Sequence, residues 1–199
     1  MSSRNQILEA IKNAQPAMKP LPVLDYTVVT PIKELISFFE QFVNAVGGRV
    51  QLVDQPADLT LEIEHARQEG RLILNRLNGF SSVDEISPDL TELEKLDRVY
   101  IRGSLGVAEN GAIWVDETSM DNRILPFIAQ ELVLVLREEE LVPTMHDAYQ
   151  RIRINQEGFG VFIAGPSKTA DIEQSLVIGA HGPVALTVLI LKSGLAVPA

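Results

Sequence analysis

The chain has 199 residues, of which 46% are hydrophobic and 22% charged, a composition typical of one globular domain with a full hydrophobic core. Its formal net charge of -10 argues against a nucleic-acid or anionic-membrane surface, because binding to phosphates depends on clustered Lys and Arg. These residues include no Cys, which excludes disulfides, thiolate zinc sites, cysteine nucleophiles and Cys-ligated iron–sulfur clusters within them.

The first 30 residues predict a helical arm followed by a linker. A helix capped by Ser2 or Ser3 would carry one narrow apolar stripe, and the prolines from Pro16 to Pro31 keep the next segment extended. We therefore predict an arm and linker over 1–30 and an α/β domain over 31–199. Arms of this kind often contact a neighbouring subunit, so a homo-oligomer is one expectation. The start does not resemble a signal peptide and no apolar run is long enough to span a bilayer, which predicts a cytoplasmic protein.

Helices and strands alternate after the linker. The patterns predict a helix that begins at Pro31 and ends at Gly47-Gly48, then a strand over 50–53, a helix over 57–68 and a strand over 71–75. Such alternation indicates a mostly parallel sheet flanked by helices.

The middle of the chain predicts shorter elements. A loop over 78–88 precedes a helical turn and three short strands, and Asn110-Gly111 favours a type I′ hairpin turn between the last two. The predicted elements are a turn over 90–96, strands over 99–101, 105–108 and 112–115, a helix over 123–130, a strand over 132–136 and a helix over 142–154.

The stretch over 158–191 concentrates the turn residues and the most hydrophobic segments. Residues 159–164 predict a central parallel strand buried on both faces, adjacent to the strands near Leu132 and Val184. The loops over 165–171 and 179–183 should then open at one edge of the sheet and form one site.

These two loops carry most of the candidate ligand-binding residues. Ser167, Lys168 and Thr169 lie between a strand and a predicted helix start, where free N–H groups and a lysine favour a small carboxylate or another anion. His181 follows at a strand end, where open parallel sheets bind ligands, and is a candidate catalytic residue. Asp171 either caps the helix or orients His181 or Lys168. Structural capping is the alternative for Ser167 and Thr169.

Glu109 is the second candidate catalytic residue, with Asn110 beside it. A carboxylate next to a hairpin turn can act on substrate with the backbone N–H groups of the turn nearby. We expect Glu109 to face the same cleft as His181 and Lys168 and to serve as a hydrogen-bond acceptor or base. The alternative is a residue that only flanks the turn. The three histidines, His65, His146 and His181, have no spacing that predicts a metal site.

Two stretches also resemble a known family. GPSKTADIEQSLVIGAHGP over 165–183 and GVAENGAIWV over 106–115 resemble the two signatures of the LUD domain family, the lactate-utilisation protein C or YkgG group. The resemblance implies a fold related to ribose-phosphate isomerases and family I CoA transferases. It also implies a cytoplasmic protein of L-lactate oxidation that acts beside iron–sulfur partner proteins, with the clusters in the partners and no cofactor in this chain.

The resemblance leaves two other functions open. Family I CoA transferases use a glutamate nucleophile in a similar Ser-Glu-Asn-Gly setting, in which Ala108 replaces the serine here, so Glu109 could serve a CoA or acyl transferase. In the LUD family the residue after the glutamate is more often Thr, so Asn110 departs mildly from the family pattern and argues against close equivalence of substrate with that family. The remaining alternative is a non-catalytic scaffold whose loop glycines are structural.

Overall fold

The computed structural model describes residues 3–20, 22, 31–87, 89–153, 158–169 and 177–192. The helices are α1 (Ser3–Asn13), α2 (Ile32–Ala45), α3 (Pro56–Gln68), α4 (Leu90–Leu93), α5 (Glu117–Met120), α6 (Leu125–Ile128) and α7 (Met145–Arg151). The strands are β1 (Arg49–Val53), β2 (Ile73–Asn75), β3 (Arg98–Arg102), β4 (Leu105–Val107), β5 (Ala112–Asp116), β6 (Glu131–Arg137), β7 (Leu141–Val142), β8 (Gly160–Ile163), β9 (Lys168–Thr169), β10 (Val177–Ile178) and β11 (Ala185–Leu191).

A five-stranded parallel sheet forms the centre of the fold, in the order β1-β11-β6-β3-β2. The middle strand β6 is buried on both faces, since Leu132, Leu134 and Leu136 pack in one cluster and Val133 and Val135 in the other. A strand covered on both sides has no solvent face, so its sequence is a continuous hydrophobic run. The predicted α/β class, with a mainly parallel sheet flanked by helices, is confirmed.

Different elements cover the two faces of this sheet. On one face, α2 contributes buried side chains to a cluster that also contains residues of a second sheet. On the other face, α3 packs Leu59, Ile63 and Ala66 against the strands. Each helix therefore buries one row of apolar side chains, while Phe38 and Phe42 of α2 remain exposed.

The second sheet has four strands in the order β7-β4-β5-β8. It packs closely on the central sheet at Gly106, where an added Cβ would lie 2.7 Å from Leu141 and 2.9 Å from Leu136. Its outer face is covered by α7, and the rings of Trp114 and Phe162 pack there with centroids 4.9 Å apart. Trp114 is thus a packing residue of the second sheet.

The prediction of a central parallel strand over 159–164 is wrong. β8 lies at the edge of the second sheet, antiparallel to β5, and its residues are only half-buried. A short hydrophobic run fits either kind of strand, so the sequence did not indicate which sheet it joins. Of the three strands expected to be neighbours, β6 and β11 do pair in parallel.

Two predicted helices are shorter than expected. Only Leu125–Ile128 is helical within 123–130, and the helix over 142–154 begins at Met145 because Val142 pairs with Val107 across β4 and β7. Thr144 fixes the start of α7 through a capping box with Asp147. The capping residues Thr144 and Asp147 thus mark this start, which the hydrophobic pattern placed three residues too early.

The arm helix α1 forms as predicted, and none of its residues is buried. Its apolar stripe, Ile7, Leu8 and Ile11, is at least half exposed in each case. Among the described residues, no helix combines the length and the apolar character needed to cross a bilayer.

Candidate functional site

The loops over 165–168 and 179–183 lie side by side. The N–H of Ser167 donates to the carbonyl of Pro183 at 2.9 Å, and the N–H of Gly179 donates to the carbonyl of Ser167 at 2.9 Å. Two backbone hydrogen bonds therefore hold the loops together, and their predicted proximity is confirmed.

A cavity of about 260 Å³ opens between these loops, α6 and the central sheet; we call it the loop cavity. Its polar lining comes from Ser167, Lys168 and His181, three of the predicted site residues. Its other described lining residues are mostly apolar: Pro126, Phe127, Leu132, Ile163, Gly165, Pro166, Gly182, Pro183 and Leu186. The loop cavity is thus an apolar recess with a few polar groups, an arrangement typical of small-molecule sites.

The loop cavity lies at the amino ends of the parallel strands. The loop over 179–183 leads into β11, and the lining residues Leu132 and Leu186 are each the second residue of their strand. Open parallel sheets bind ligands at the carboxyl ends of their strands. His181 therefore does not lie at the strand ends where such sheets bind ligands, and only the local geometry supports a ligand there.

Lys168 and Thr169 do not lie in the loop that was predicted before a helix capped by Asp171, and that helix start itself lies outside the described residues. Both residues form β9, which pairs in antiparallel fashion with β10. In such a hairpin the backbone groups take part in the ladder, so this segment is not the N-terminus of a helix. Asp171 lies outside the described residues, and Thr169 is not among the residues that line the loop cavity.

Lys168 connects the loop cavity to helix α2. Its ammonium group donates a hydrogen bond to the carbonyl oxygen of Val46, the C-cap residue of α2. A cation at this position stabilises the negative end of the helix dipole. Because an ammonium has three N–H donors, this bond is compatible with a carboxylate on the same group.

Glu109 and Asn110 lie in a different place. Glu109 is exposed, and its carboxylate accepts a hydrogen bond of 2.7 Å from the N–H of Met145 at the N-terminus of α7. It is absent from the described lining of the loop cavity, so the cleft expected to hold Glu109, His181 and Lys168 together is not formed. The side-chain oxygen of Asn110 accepts from the N–H of Ala112 at 3.0 Å, which stabilises the turn itself.

The hairpin between β4 and β5 is confirmed, but its type I′ turn is not. A type I′ turn needs a positive φ at both central residues, and only Gly111 has one, at 67°. The loop has four residues, 108–111, and the N–H of Gly111 donates to the carbonyl of Val107 at 2.9 Å. Gly111 also packs against the backbone of α2, where an added Cβ would lie 2.8 Å from the nitrogen of Val43.

A second and larger cavity, of about 360 Å³, was not predicted from the sequence; we call it the arginine cavity. Arg76, Arg102 and Arg137 line it, and each is the last residue of a parallel strand or the next residue after it. The cavity therefore opens at the carboxyl ends of the sheet, the edge where such sheets bind ligands. The available signal was the repeated occurrence of Arg at the end of a hydrophobic strand.

A polar cluster joins α3 to the amino end of the central sheet. The guanidinium of Arg98 donates to Glu131 at 2.8 Å and to Glu62 and the Tyr100 hydroxyl at 3.1 and 3.0 Å. Burial raises the pKa of Tyr100 to about 12, and burial likewise raises the pKa of Glu62 above its ordinary value. These groups are satisfied by one another, so we assign the cluster a structural role.

Residues 60–191 match the LUD domain. The chain belongs to the LUD domain family. The match begins within α3 and ends with the last residue of β11, so it covers the central sheet from β2 onward, both cavities and all the predicted site residues. Among the described residues of this LUD domain chain, no group of three or more His, Cys, Asp or Glu side chains could hold a metal ion.

Several relatives carry the name "Lactate utilization protein C". The protein from Deinococcus radiodurans is 26% identical over 202 residues, which cover 94% of this chain and 94% of that protein. The proteins from Oceanobacillus iheyensis and Bacillus pumilus are 29% and 34% identical over 104 and 91 residues. Those two matches cover 49% and 43% of this LUD domain chain and only 45% and 38% of the relatives.

A solved structure has the same fold. The crystal structure of a duf162 family protein from Deinococcus radiodurans superposes with a TM-score of 0.60 at 18% sequence identity. The superposition covers 81% of this LUD domain chain and 99% of that chain. At this identity the likeness extends to the fold and not to the chemistry of the site.

Proposed function

We propose that this chain is a component of a lactate-utilisation system, acts beside iron–sulfur partner proteins and binds a small carboxylate in the loop cavity. The observation that carries the proposal is the full-length similarity to a protein named for lactate utilisation, over 94% of both chains. The names of the relatives support the role in lactate utilisation, and the geometry of the loop cavity supports the carboxylate site.

The lining of the loop cavity suits a short 2-hydroxy acid. The ammonium of Lys168 can pair with a carboxylate, and Ser167 and His181 can bond a hydroxyl group. The apolar wall, which includes Phe127 and Ile163, can contact a methyl group. Lactate carries these three groups on three carbon atoms, so one molecule can satisfy all of the lining.

The electrons of the reaction require a second protein. Oxidation of lactate to pyruvate releases two electrons and two protons, and the 199 residues contain no Cys to ligate an iron–sulfur cluster. In this proposal the electrons pass to clusters held by the partners. The chain binds and orients the carboxylate beside them.

We expect the purified chain alone to show no lactate oxidation, because its sequence has no Cys and no flavin or nicotinamide fingerprint. The measurement is lactate-dependent reduction of an artificial acceptor, with protein shown by spectroscopy to be free of bound cofactor. Addition of the Cys-rich partner proteins from the native host should restore turnover. Turnover by the isolated chain at a rate similar to that of the mixture would contradict a dependence on partners.

We expect His181→Ala and Lys168→Ala to weaken lactate binding by about tenfold each, which corresponds to about 1.4 kcal/mol. Calorimetric titration measures the affinity, and thermal unfolding measures the stabilisation by lactate. His146→Ala and Lys33→Ala are the controls, since both residues are exposed and outside the loop cavity. Equal affinities for all four variants would reject the loop cavity as the carboxylate site.

The transferase alternative depends on Glu109 alone. The carboxylate of Glu109 already accepts the N–H of Met145, and Glu109 is not among the described residues that line the loop cavity. The geometry thus favours carboxylate binding at the loop cavity over covalent catalysis by Glu109.

A further inference from the structure

We propose that the arginine cavity is a second ligand site, which binds a small organic dianion with phosphate or carboxylate groups. This inference is independent of the proposed function, because the two cavities have no described lining residue in common. They also lie at opposite ends of the central sheet: Leu132 of the loop cavity is near the start of β6, and Arg137 of the arginine cavity ends it.

The charge of the arginine cavity is opposite to that of the whole protein. Three arginines line one recess of a chain whose net charge is -10. The side chains of Arg76 and Arg102 are only 18% and 24% exposed, so water screens them less than it screens surface cations. A guanidinium presents a planar fork of donors that matches the two oxygens of a carboxylate or phosphate.

Internal carboxylates occupy part of this donor capacity. Arg76 pairs with Asp121 and Arg102 pairs with Glu140, while the Nε of Arg76 is buried without a hydrogen-bond partner among the described residues. Asp121 is itself a lining residue and its side chain is 51% exposed. An exposed carboxylate on a half-buried arginine is the group that an incoming anion would displace.

The backbone at Asp121 supports this role as a counter-ion. Asp121 has a φ of 61° and a ψ of -40°, and the N–H of Asn122 donates to the carbonyl of Met120 at 2.6 Å, which describes a tight three-residue turn. Non-glycine residues held at a positive φ are uncommon and cluster at active sites and ligand sites. The turn holds the carboxylate of Asp121 against Arg76 in the unliganded protein.

The size and lining of the cavity indicate the class of ligand. Asn78, Thr118 and Ser119 add neutral polar groups, and Leu77 and Phe80 add apolar surface. A volume of about 360 Å³ exceeds the volume of a three-carbon acid, and three guanidinium groups can bind more than one anionic group. A dianion on a short carbon chain can place an anionic group on more than one arginine and fill more of the cavity. Lactate has a single anionic group and only three carbon atoms.

The test is calorimetric titration of the full chain with succinate, glycerol 3-phosphate and lactate at constant ionic strength. We expect at least one of the two dianions to bind. Binding of only one would distinguish a dicarboxylate from a phosphate ester. Arg102→Gln should weaken the binding of that dianion by about tenfold. Asp121→Asn should strengthen its binding by about threefold, because the substitution removes the competing negative charge. Arg123→Gln is the control, since Arg123 is exposed and outside the cavity.

Several outcomes would overturn the proposal. One is that neither dianion binds the folded wild-type chain. Another is that Arg123→Gln weakens dianion binding as much as Arg102→Gln does. If Arg102→Gln fails to fold, the dianion affinity of Asp121→Asn is the test. An affinity equal to that of the wild-type chain would then reject the site. His181→Ala should leave dianion binding unchanged, so failure of the lactate site and failure of this site give different results.

Discussion

Phe39→Ala is expected to destabilise the protein by about 4 kcal/mol, within the range measured when a buried phenylalanine is truncated. Phe39 is fully buried in the cluster between α2 and the two sheets, and its ring lies where a Cβ on Gly106 would be only 3.2 Å away. The surrounding strands cannot close the cavity left behind, since they are fixed in two sheets. A loss of this size is a large part of the 5–15 kcal/mol that stabilises most domains.

The neighbouring residue Phe38 provides the matched control. Its side chain is 49% exposed on the same helix, so Phe38→Ala removes the same atoms with little loss of packing. Urea unfolding of both variants and the wild-type chain measures the difference in the free energy of unfolding. Similar losses for the two variants would show that α2 does not pack as described.

Gly165→Ala is expected to destabilise the protein by about 3 kcal/mol and to disturb the loop cavity. Gly165 has a φ of 77°, and an added Cβ would lie 2.5 Å from the carbonyl oxygen of Val46. The positive φ contributes about 1 kcal/mol, and the forced movement of the loop away from α2 contributes about 2 kcal/mol. The same movement would break the bond from Lys168 to that carbonyl.

Gly70→Ala separates these two contributions. Gly70 has a φ of 78°, nearly that of Gly165, but an added Cβ would meet no atom within 4 Å. This variant should therefore lose only about 1 kcal/mol, the cost of the backbone conformation. Thermal or urea unfolding measures both variants. If both lose the same amount, contact with Val46 adds nothing at Gly165.

The lactate affinity of Gly165→Ala gives a separate measurement. A weaker lactate response in a variant that still folds would connect the position of the loop to the carboxylate site. An unchanged response would show that the site tolerates movement of Lys168 away from α2.

Local signals predicted most of the elements. The helix that follows Pro31 ends before Gly47-Gly48, and the strands β1, β6 and β11 occur within a residue or so of their expected positions. These elements were predictable because proline, glycine and hydrophobic periodicity act over a few residues. The start of α7 was predictable in principle from Thr144 and Asp147, although the hydrophobic run that precedes them obscured it.

Contacts between residues far apart in the chain were predicted correctly in one case and wrongly in another. The loops at Ser167 and His181 were expected to meet, and backbone hydrogen bonds from Ser167 and Gly179 join them. Glu109 was placed with them from its type and its turn, and it instead contacts the N-terminus of α7. Nothing in the sequence near Glu109 specifies which element covers the hairpin.

The sequence by itself determined the α/β class, the hydrophobic strands of the central sheet and the two glycine-punctuated loops, because each depends on the order of residues along a short stretch. Only the tertiary structure decided that β8 joins the second sheet and that the loop cavity lies at the amino ends of the strands. It also brought together Arg76, Arg102 and Arg137, which are 26 and 35 positions apart in the chain. The reason is that a parallel sheet aligns the carboxyl ends of strands distant in sequence, so residues that share no local pattern meet at one edge.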